Sequence, residues 1–258
     1  MPFRAARFAW HLSTSGHFHI LWKTMLQWAG HCLALPWYWL NGTVPTSIVY
    51  APETGHQVAL DSPDQLTPHG CVSNNNTNVA FVHAMTSRYG RGACLDLGCS
   101  SGRMVYNFAR IGWKAVGLEG SDWPMRLGRG AWGRYKNLFT CDISKPFLLH
   151  LKFDVITAWD VVEHLKPDGL ETLCATVRQH LKDNGIWVVT TANNSDCAHG
   201  IELYQTQWPR EKWVEFFIAQ GFKILPRSLF VQRWQMLRHS GDGCEFVLGL
   251  ITMPGGSP

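Results

Sequence analysis

Five acids and a histidine in the middle of the chain carry the chemistry that can be read from its residues. Asp96 precedes Gly98 and Gly102 in the run Ala-Cys-Leu-Asp-Leu-Gly-Cys-Ser-Ser-Gly, residues 93 to 102. Two glycines with Cys99, Ser100 and Ser101 between them expose backbone to a ligand. Glu119 follows about 20 residues after Gly98, where a strand-tip carboxylate can accept hydrogen bonds from a ribose. Asp142 ends a later apolar run. Asp160, Glu163 and His164 arrive together in Asp-Val-Val-Glu-His-Leu, residues 160 to 165. His164 has the titration range of a general base near neutral pH. The same D-x-x-E-H spacing offers the oxygen and imidazole ligands that Mg²⁺, Mn²⁺ or Zn²⁺ accept. A third reading makes Glu163 and His164 pocket wall. His199, in a later polar loop, is a second candidate base.

The elements that must hold these residues follow from apolar patterning. Ala93-Cys94-Leu95 reads as a buried central strand, and Val105, Phe108, Ala109 and Ile111 as the inner face of a helix. Lys114 to Glu119, Asn137 to Cys141, Phe153 to Trp159 and Ile186 to Thr191 read as further strands. Asp142-Ile143 lies at a strand tip, and Gly169 to Leu181 is an amphipathic helix. Strands alternating with helices imply a parallel, doubly wound sheet. The turn is D-x-G-x-x-x-G rather than G-x-G-x-x-G, which weighs against a nicotinamide dinucleotide.

At these residues the chain resembles a family. L-D-L-G-C-S-S-G is similar to motif I, and F-D-x-I-x-x-x-x-V-x-E-H-L to motif IV, of the class I S-adenosylmethionine-dependent methyltransferases. The resemblance spans roughly residues 80 to 252. It implies an α/β fold with a doubly wound, mostly parallel, seven-stranded sheet of Rossmann-like type, closed by an antiparallel pair from 222–231 and 244–252. It implies S-adenosyl-L-methionine as cofactor, with Asp96, Gly98, Cys99, Ser100 and Gly102 around the methionine part. Glu119 and Gly120 would meet the ribose, Asp142 and Ile143 the adenine, and Trp159 the sulfonium. Asp160, Glu163 and His164 are close to the E-x-x-E-H with which ubiquinone-pathway and small-RNA-end methyltransferases hold a divalent ion. Asp160 replaces the first Glu and no second histidine follows, so no metal ligand is assigned. His164, Glu163 and His199 are the expected catalytic residues, and the expected acceptor is a hydroxyl or amine of a small molecule or sugar. Metal-assisted O-methylation through Asp160, Glu163 and His164 is the first alternative. A dehydrogenase, or a non-catalytic cofactor-binding module of the same fold, is the second.

Composition sets the remaining bounds. The 258 residues are 46% hydrophobic and only 16% charged, with 13 tryptophans. A net charge of +4 without a basic stripe argues against a nucleic-acid partner. Eight cysteines without a C-x-x-C pair argue against a zinc ribbon and for a reduced, cytoplasmic protein. The sequons at Asn41, Asn75 and Asn193 then read as chance matches. Residues 1–60 form an N-terminal helical extension. In it Phe18, Leu21, Trp22, Met25, Leu26 and Trp28 make an apolar face, while Lys23, Gln27, His31 and Pro36 argue against a membrane span. That face is expected to pack on the catalytic domain or a dimer partner, with peripheral membrane contact through residues 1–40 as the sharper alternative. Residues 61–258 are expected to form the methyltransferase domain that the resemblance implies. Within it 61–92 is a candidate lid, from Asp61-Ser62-Pro63-Asp64 through the Asn-rich run at 73–78.

Overall fold

A computed structural model describes residues 18–66, 79–226 and 244–251. Strand β1, Ala93–Leu97, is buried at every position, as its apolar run requires. Its alternation sends Leu95 and Leu97 to one apolar layer and Cys94 to the other, so β1 lies at the middle of both. Around it stand β2 (Lys114–Glu119), β3 (Leu138–Thr140), β4 (Phe153–Trp159) and β5 (Leu181–Thr191). A short hairpin, β6 (Cys197–Ala198) and β7 (Ile201–Glu202), follows, then β8 (Phe222–Ile224) and β9 (Cys244–Leu250). The main sheet has seven strands in the order β3-β2-β1-β4-β5-β9-β8. β3 through β5 are parallel, and β9 runs antiparallel to both β5 and β8. Strand order reverses between β1 and β4, and such a switch point opens a crevice at the carboxyl ends.

The Rossmann-like, seven-stranded expectation is therefore what the chain adopts, with differences at the edges. β5 begins at Leu181, so the expected Lys182-Gly185 turn is an irregularity inside the strand, between the pairs Phe153–Leu181 and Val155–Ile186. The helix expected over 169–181 spans Pro167–His180. The glycine-rich stretch after Ser121 keeps a helix only over Trp123–Arg126, since Gly128 and Gly130 take positive φ. The Asn-rich run at 73–78 and residues 227–243 lie outside the described residues.

The aromatic N-terminal segment is a helix over Phe18–Leu40 that contains Pro36. Its second half packs on the helix Val79–Tyr89: Ala34 and Tyr38 are buried, and Trp37 meets His83 edge-on at 4.6 Å. The Tyr38 hydroxyl donates to Asn107 Oδ1 at 2.9 Å. Among the described residues no helix is long and apolar enough to cross a membrane. Beyond the helix the chain runs over the carboxyl ends of the sheet as a strap. Gln57 N–H donates to the Thr140 carbonyl at 3.0 Å and Ala59 N–H to the Gly120 carbonyl at 2.8 Å. The Gln65 amide donates to the Gly120 carbonyl at 3.3 Å, and Pro63–Leu66 closes the strap as a 3₁₀ turn.

Candidate functional site

A cavity of about 740 Å³ opens where β1, β2 and β4 end, within the range of small-molecule sites. The strap roofs it with Ala59 and the 61–65 run. Gly98, Ser100, Glu119, Gly120, Asp142, Ile143, Trp159 and His164 all line it, and all were expected from sequence. Of the three non-glycine residues with positive φ among the described residues, Ser100 (48°) and Asp160 (51°) stand on this wall. Backbone held in that region clusters where a ligand or a reaction uses it.

The glycine turn is shaped from inside. Gly98 has φ 66°, and a Cβ there would run into the Val161 side chain. Gly102 has φ 69° and abuts Leu138, so it closes the turn without reaching the cavity lining. Cys99 is likewise buried behind the turn. The N–H of Cys99 donates to the Leu118 carbonyl and that of Gly102 to Cys99. Ser100 N–H donates to Glu119 Oε2 at 2.7 Å. The turn therefore offers few donors to an anion, unlike a phosphate cradle. Seven carboxylates and two lysines line the cavity, a balance that suits a cationic ligand.

Glu119 is 8% exposed at the tip of β2. Burial pushes its pKa up to about 7, against the lowering effect of the Ser100 and Ser121 N–H groups. Asp96 is fully buried behind the turn. Burial raises it to about 7 as well, while Thr157 Oγ1 donates to its Oδ1 at 2.6 Å. Among the described residues Asp96 Oδ2 and the Trp159 indole N–H have no hydrogen-bond partner. A buried carboxylate, Glu119, facing the cavity and an acid-rich wall around it are a set that fits a cationic nucleoside. Asp142 is more committed than expected. Its Oδ1 accepts from Ser144 N–H (3.1 Å) and Oγ (2.6 Å), and Lys145 sits 3.1 Å from Oδ2. That leaves Oδ2 one acceptor position for a base edge.

Asp160, Glu163 and His164 do not converge. Asp160 Oδ1 accepts from Thr190 Oγ1 at 2.6 Å, and Glu163 Oε1 from Ala192 N–H at 2.7 Å. His164 Nδ1 lies 2.9 Å from Asp64 Oδ1. Among the described residues no three metal-ligating side chains form a group. Glu163 is fully buried and outside the cavity lining, its pKa raised to about 7 by burial and by Asp160. It braces the wall from behind, through its bond from Ala192. His164 does line the cavity, and Tyr204 packs edge-on against it at 4.8 Å.

His199 is not brought to the site. The β6–β7 hairpin has His199 and Gly200 as its two central residues, with φ 53° and 78°. A two-residue hairpin turn with both φ positive throws its side chains outward, and His199 is exposed. The loop it belongs to reaches the cavity through other residues, Asp196, Leu203, Tyr204 and Gln205. Glu202 organises that loop by accepting from Ser195 Oγ, Asp196 N–H and Tyr204 N–H. These bonds, the Ser195 one first, hold its carboxyl at about 2. Asp64 was the residue that sequence patterning did not single out. Its only local signal is a place in the Asp-Ser-Pro-Asp turn.

A family model described as a methyltransferase domain matches residues 78–247. A curated relative, a ubiquinone biosynthesis O-methyltransferase from Bradyrhizobium sp. (strain ORS 278), is 28% identical over 132 residues. That alignment takes in 47% of this chain and 51% of the relative, so the chain spans about half the length of the curated protein it matches. An S-adenosylmethionine-dependent methyltransferase from Clostridium acetobutylicum superposes with TM-score 0.52 at 15% identity, over 72% of this chain and 95% of that one. A TehB-like S-adenosylmethionine-dependent methyltransferase from Corynebacterium glutamicum gives 0.50 at 15% identity, over 73% and 95%. These two superpositions carry the fold.

Proposed function

The chain belongs to the class I S-adenosylmethionine-dependent methyltransferases, and from that premise we propose that it methylates a hydroxyl or amine of a small molecule or sugar, with His164 taking the acceptor's proton. The single observation carrying this reading is the sharing of one cavity by Glu119 and His164. The O-methyltransferase activity in the Bradyrhizobium relative's name puts a hydroxyl ahead of an amine.

S-adenosylmethionine, when bound, supplies a methyl group on a positively charged sulfur. The chain's own residues then have three tasks. Glu119, as a carboxylate, accepts from the ribose, and Gly98 admits the ligand close to the backbone. Asp142 and Ile143 border the adenine side, and Trp159 offers a ring face for a cation. His164 holds the proton released as the acceptor oxygen or nitrogen forms its bond to the methyl carbon, and the electron pair of the broken C–S bond stays on sulfur. Positioning of the two reactants, rather than covalent chemistry by the protein, is the main contribution. The same reading keeps residues 61–258 as the catalytic domain and the chain in the cytoplasm. Among the described residues Cys32, Cys94, Cys141, Cys174, Cys197 and Cys244 form no disulfide, as a reducing setting would leave them.

The test is transfer of radiolabelled methyl from S-adenosylmethionine to a panel of phenols, catechols, sugars and primary amines. Label in at least one hydroxyl or amine acceptor, lost on His164→Gln, supports the reading. Binding of S-adenosylmethionine with no transfer to any member of the panel contradicts the acceptor class.

A further inference from the structure

The cavity's roof contributes a side chain to its chemistry. Asp64 sits in the 3₁₀ turn Pro63–Leu66, one hundred residues before the histidine it touches. Its Oδ1 is 2.9 Å from His164 Nδ1. The carboxylate is itself oriented: Ser62 Oγ donates to Oδ2 at 3.1 Å, and Asp64 N–H donates to Ser62 Oγ at 3.3 Å. The turn is fixed over the strand ends by the bonds from Ala59 and Gln65 to the Gly120 carbonyl, one residue past Glu119. The strap residues themselves, 57 to 65, lie before residue 78, where the family match begins.

The geometry points to Asp64 as the positioning residue of His164, fixing the ring so that its Nε2 carries the lone pair that takes the acceptor's proton. The inference deepens the proposed function and rests on the reading of His164 given there. A carboxylate only accepts, so it selects the imidazole tautomer with hydrogen on Nδ1. It also stabilises the imidazolium once the proton has moved. Tyr204, packed edge-on to the ring, limits its rotation.

Other charges face the same ring. Glu163 adjoins it in the chain, Asp196 approaches from the hairpin loop, and Glu119 acts across the cavity. Burial pulls the His164 pKa down, but the bond and charge of Asp64, followed by Glu163 and Asp196, outweigh it and leave the ring raised above its ordinary value. Asp64 is the one of these that is hydrogen-bonded to the ring, so its removal should act on tautomer and titration together.

The experiment uses the full chain without ligand, labelled with ¹⁵N-histidine, with the His164 signal assigned by its loss in His164→Gln. The neutral ring of the wild type should show the Nδ1–H tautomer. In Asp64→Asn the His164 pKa should fall by at least half a unit, and in Asp64→Glu it should recover at least half of that fall. The pH midpoint for modification of His164 by diethylpyrocarbonate should move by the same amount. An Nε2–H tautomer in the wild type, or an unchanged titration in Asp64→Asn, overturns the inference, and the first of these needs no variant to fold. His164→Gln with undiminished methyl transfer would instead overturn the proton-acceptor reading, while the titration would still decide what Asp64 does to the ring.

Discussion

Glu119→Gln separates a ribose-binding acid from a buried structural one through the pH dependence of cofactor affinity. Burial holds Glu119 at about 7 in the free chain. Hydroxyl donors and a cationic ligand both favour the ionised form, so only that fraction of the protein is competent to bind well. At pH 6 a group of pKa about 7 is roughly one-eleventh ionised, and apparent affinity scales with that fraction. S-adenosylmethionine should therefore bind about 10-fold more weakly at pH 6 than at its plateau, or about 1.4 kcal/mol. The Glu119→Gln chain should lose a further ~1.5–3 kcal/mol at the plateau, the scale of a hydrogen bond to a charged group. It should also lose the part of the pH dependence that Glu119 contributes, keeping that of the other titrating groups and of the ligand's own α-amino group, near ~7.7–8.0. The assay is isothermal titration of both chains from pH 6 to 8.5, in buffers of differing ionisation heat so that protons released on binding are counted. Equal affinity of the two chains, or equal proton release, would refute the assignment of Glu119.

Three further outcomes follow from particular contacts. His164→Gln should lower the methyl-transfer rate by about 10²–10⁴-fold, the usual weight of a general base, while S-adenosylmethionine affinity changes less than threefold, as single-turnover rates and titration would show. His180 is buried between the Leu149 N–H, which donates to its Nε2 at 2.9 Å, and the Thr176 carbonyl, 2.7 Å from its Nδ1. Burial leaves its pKa below the ordinary value, so the unfolded chain binds the proton more readily. The stability that depends on a neutral His180 is complete above the unfolded pKa of about 6.5 and is lost as pH falls below it. Urea midpoints from pH 7.5 to 5.5 should fall more steeply for wild type than for His180→Asn, and parallel curves would contradict this. Gly98→Ala must hold a Cβ at φ 66° against Val161, and should cost about 1–3 kcal/mol with a matching fall in Tm. A thermally unchanged variant would show that the turn relaxes.

What the sequence made legible is what depends on contiguous residues. The apolar run before Asp96, the positive-φ glycine at 98 and the spacing to Glu119 are all properties of one strand-turn-helix-strand unit, and local pattern reports them. His164 was readable for the same reason, riding on the end of β4. The strap was not, because its course is fixed by single backbone bonds to the Gly120 and Thr140 carbonyls rather than by any periodicity of its own. Asp64 meets His164 because those bonds, with that of the Gln65 amide to the Gly120 carbonyl, lay the strap over the strand ends. His199 lies away from the cavity for a related reason. Its loop looked like one polar rim, but a two-residue turn with both φ positive put Asp196 and Tyr204 at the cavity and His199 outside. Asp142 shows that a strand-tip acid can serve a turn and a cavity wall together, which spacing alone does not resolve.

The central claim is that a sulfonium nucleoside lies over the carboxyl ends of β1 and β2, held by Glu119 under the strap. A crystal structure of the chain with S-adenosylhomocysteine measures this directly. The account predicts ribose oxygens within about 2.6–3.2 Å of the Glu119 carboxylate, and His164 Nε2 facing the sulfur side of the ligand. A nucleoside bound elsewhere, or a Glu119 turned away from it, would contradict the account.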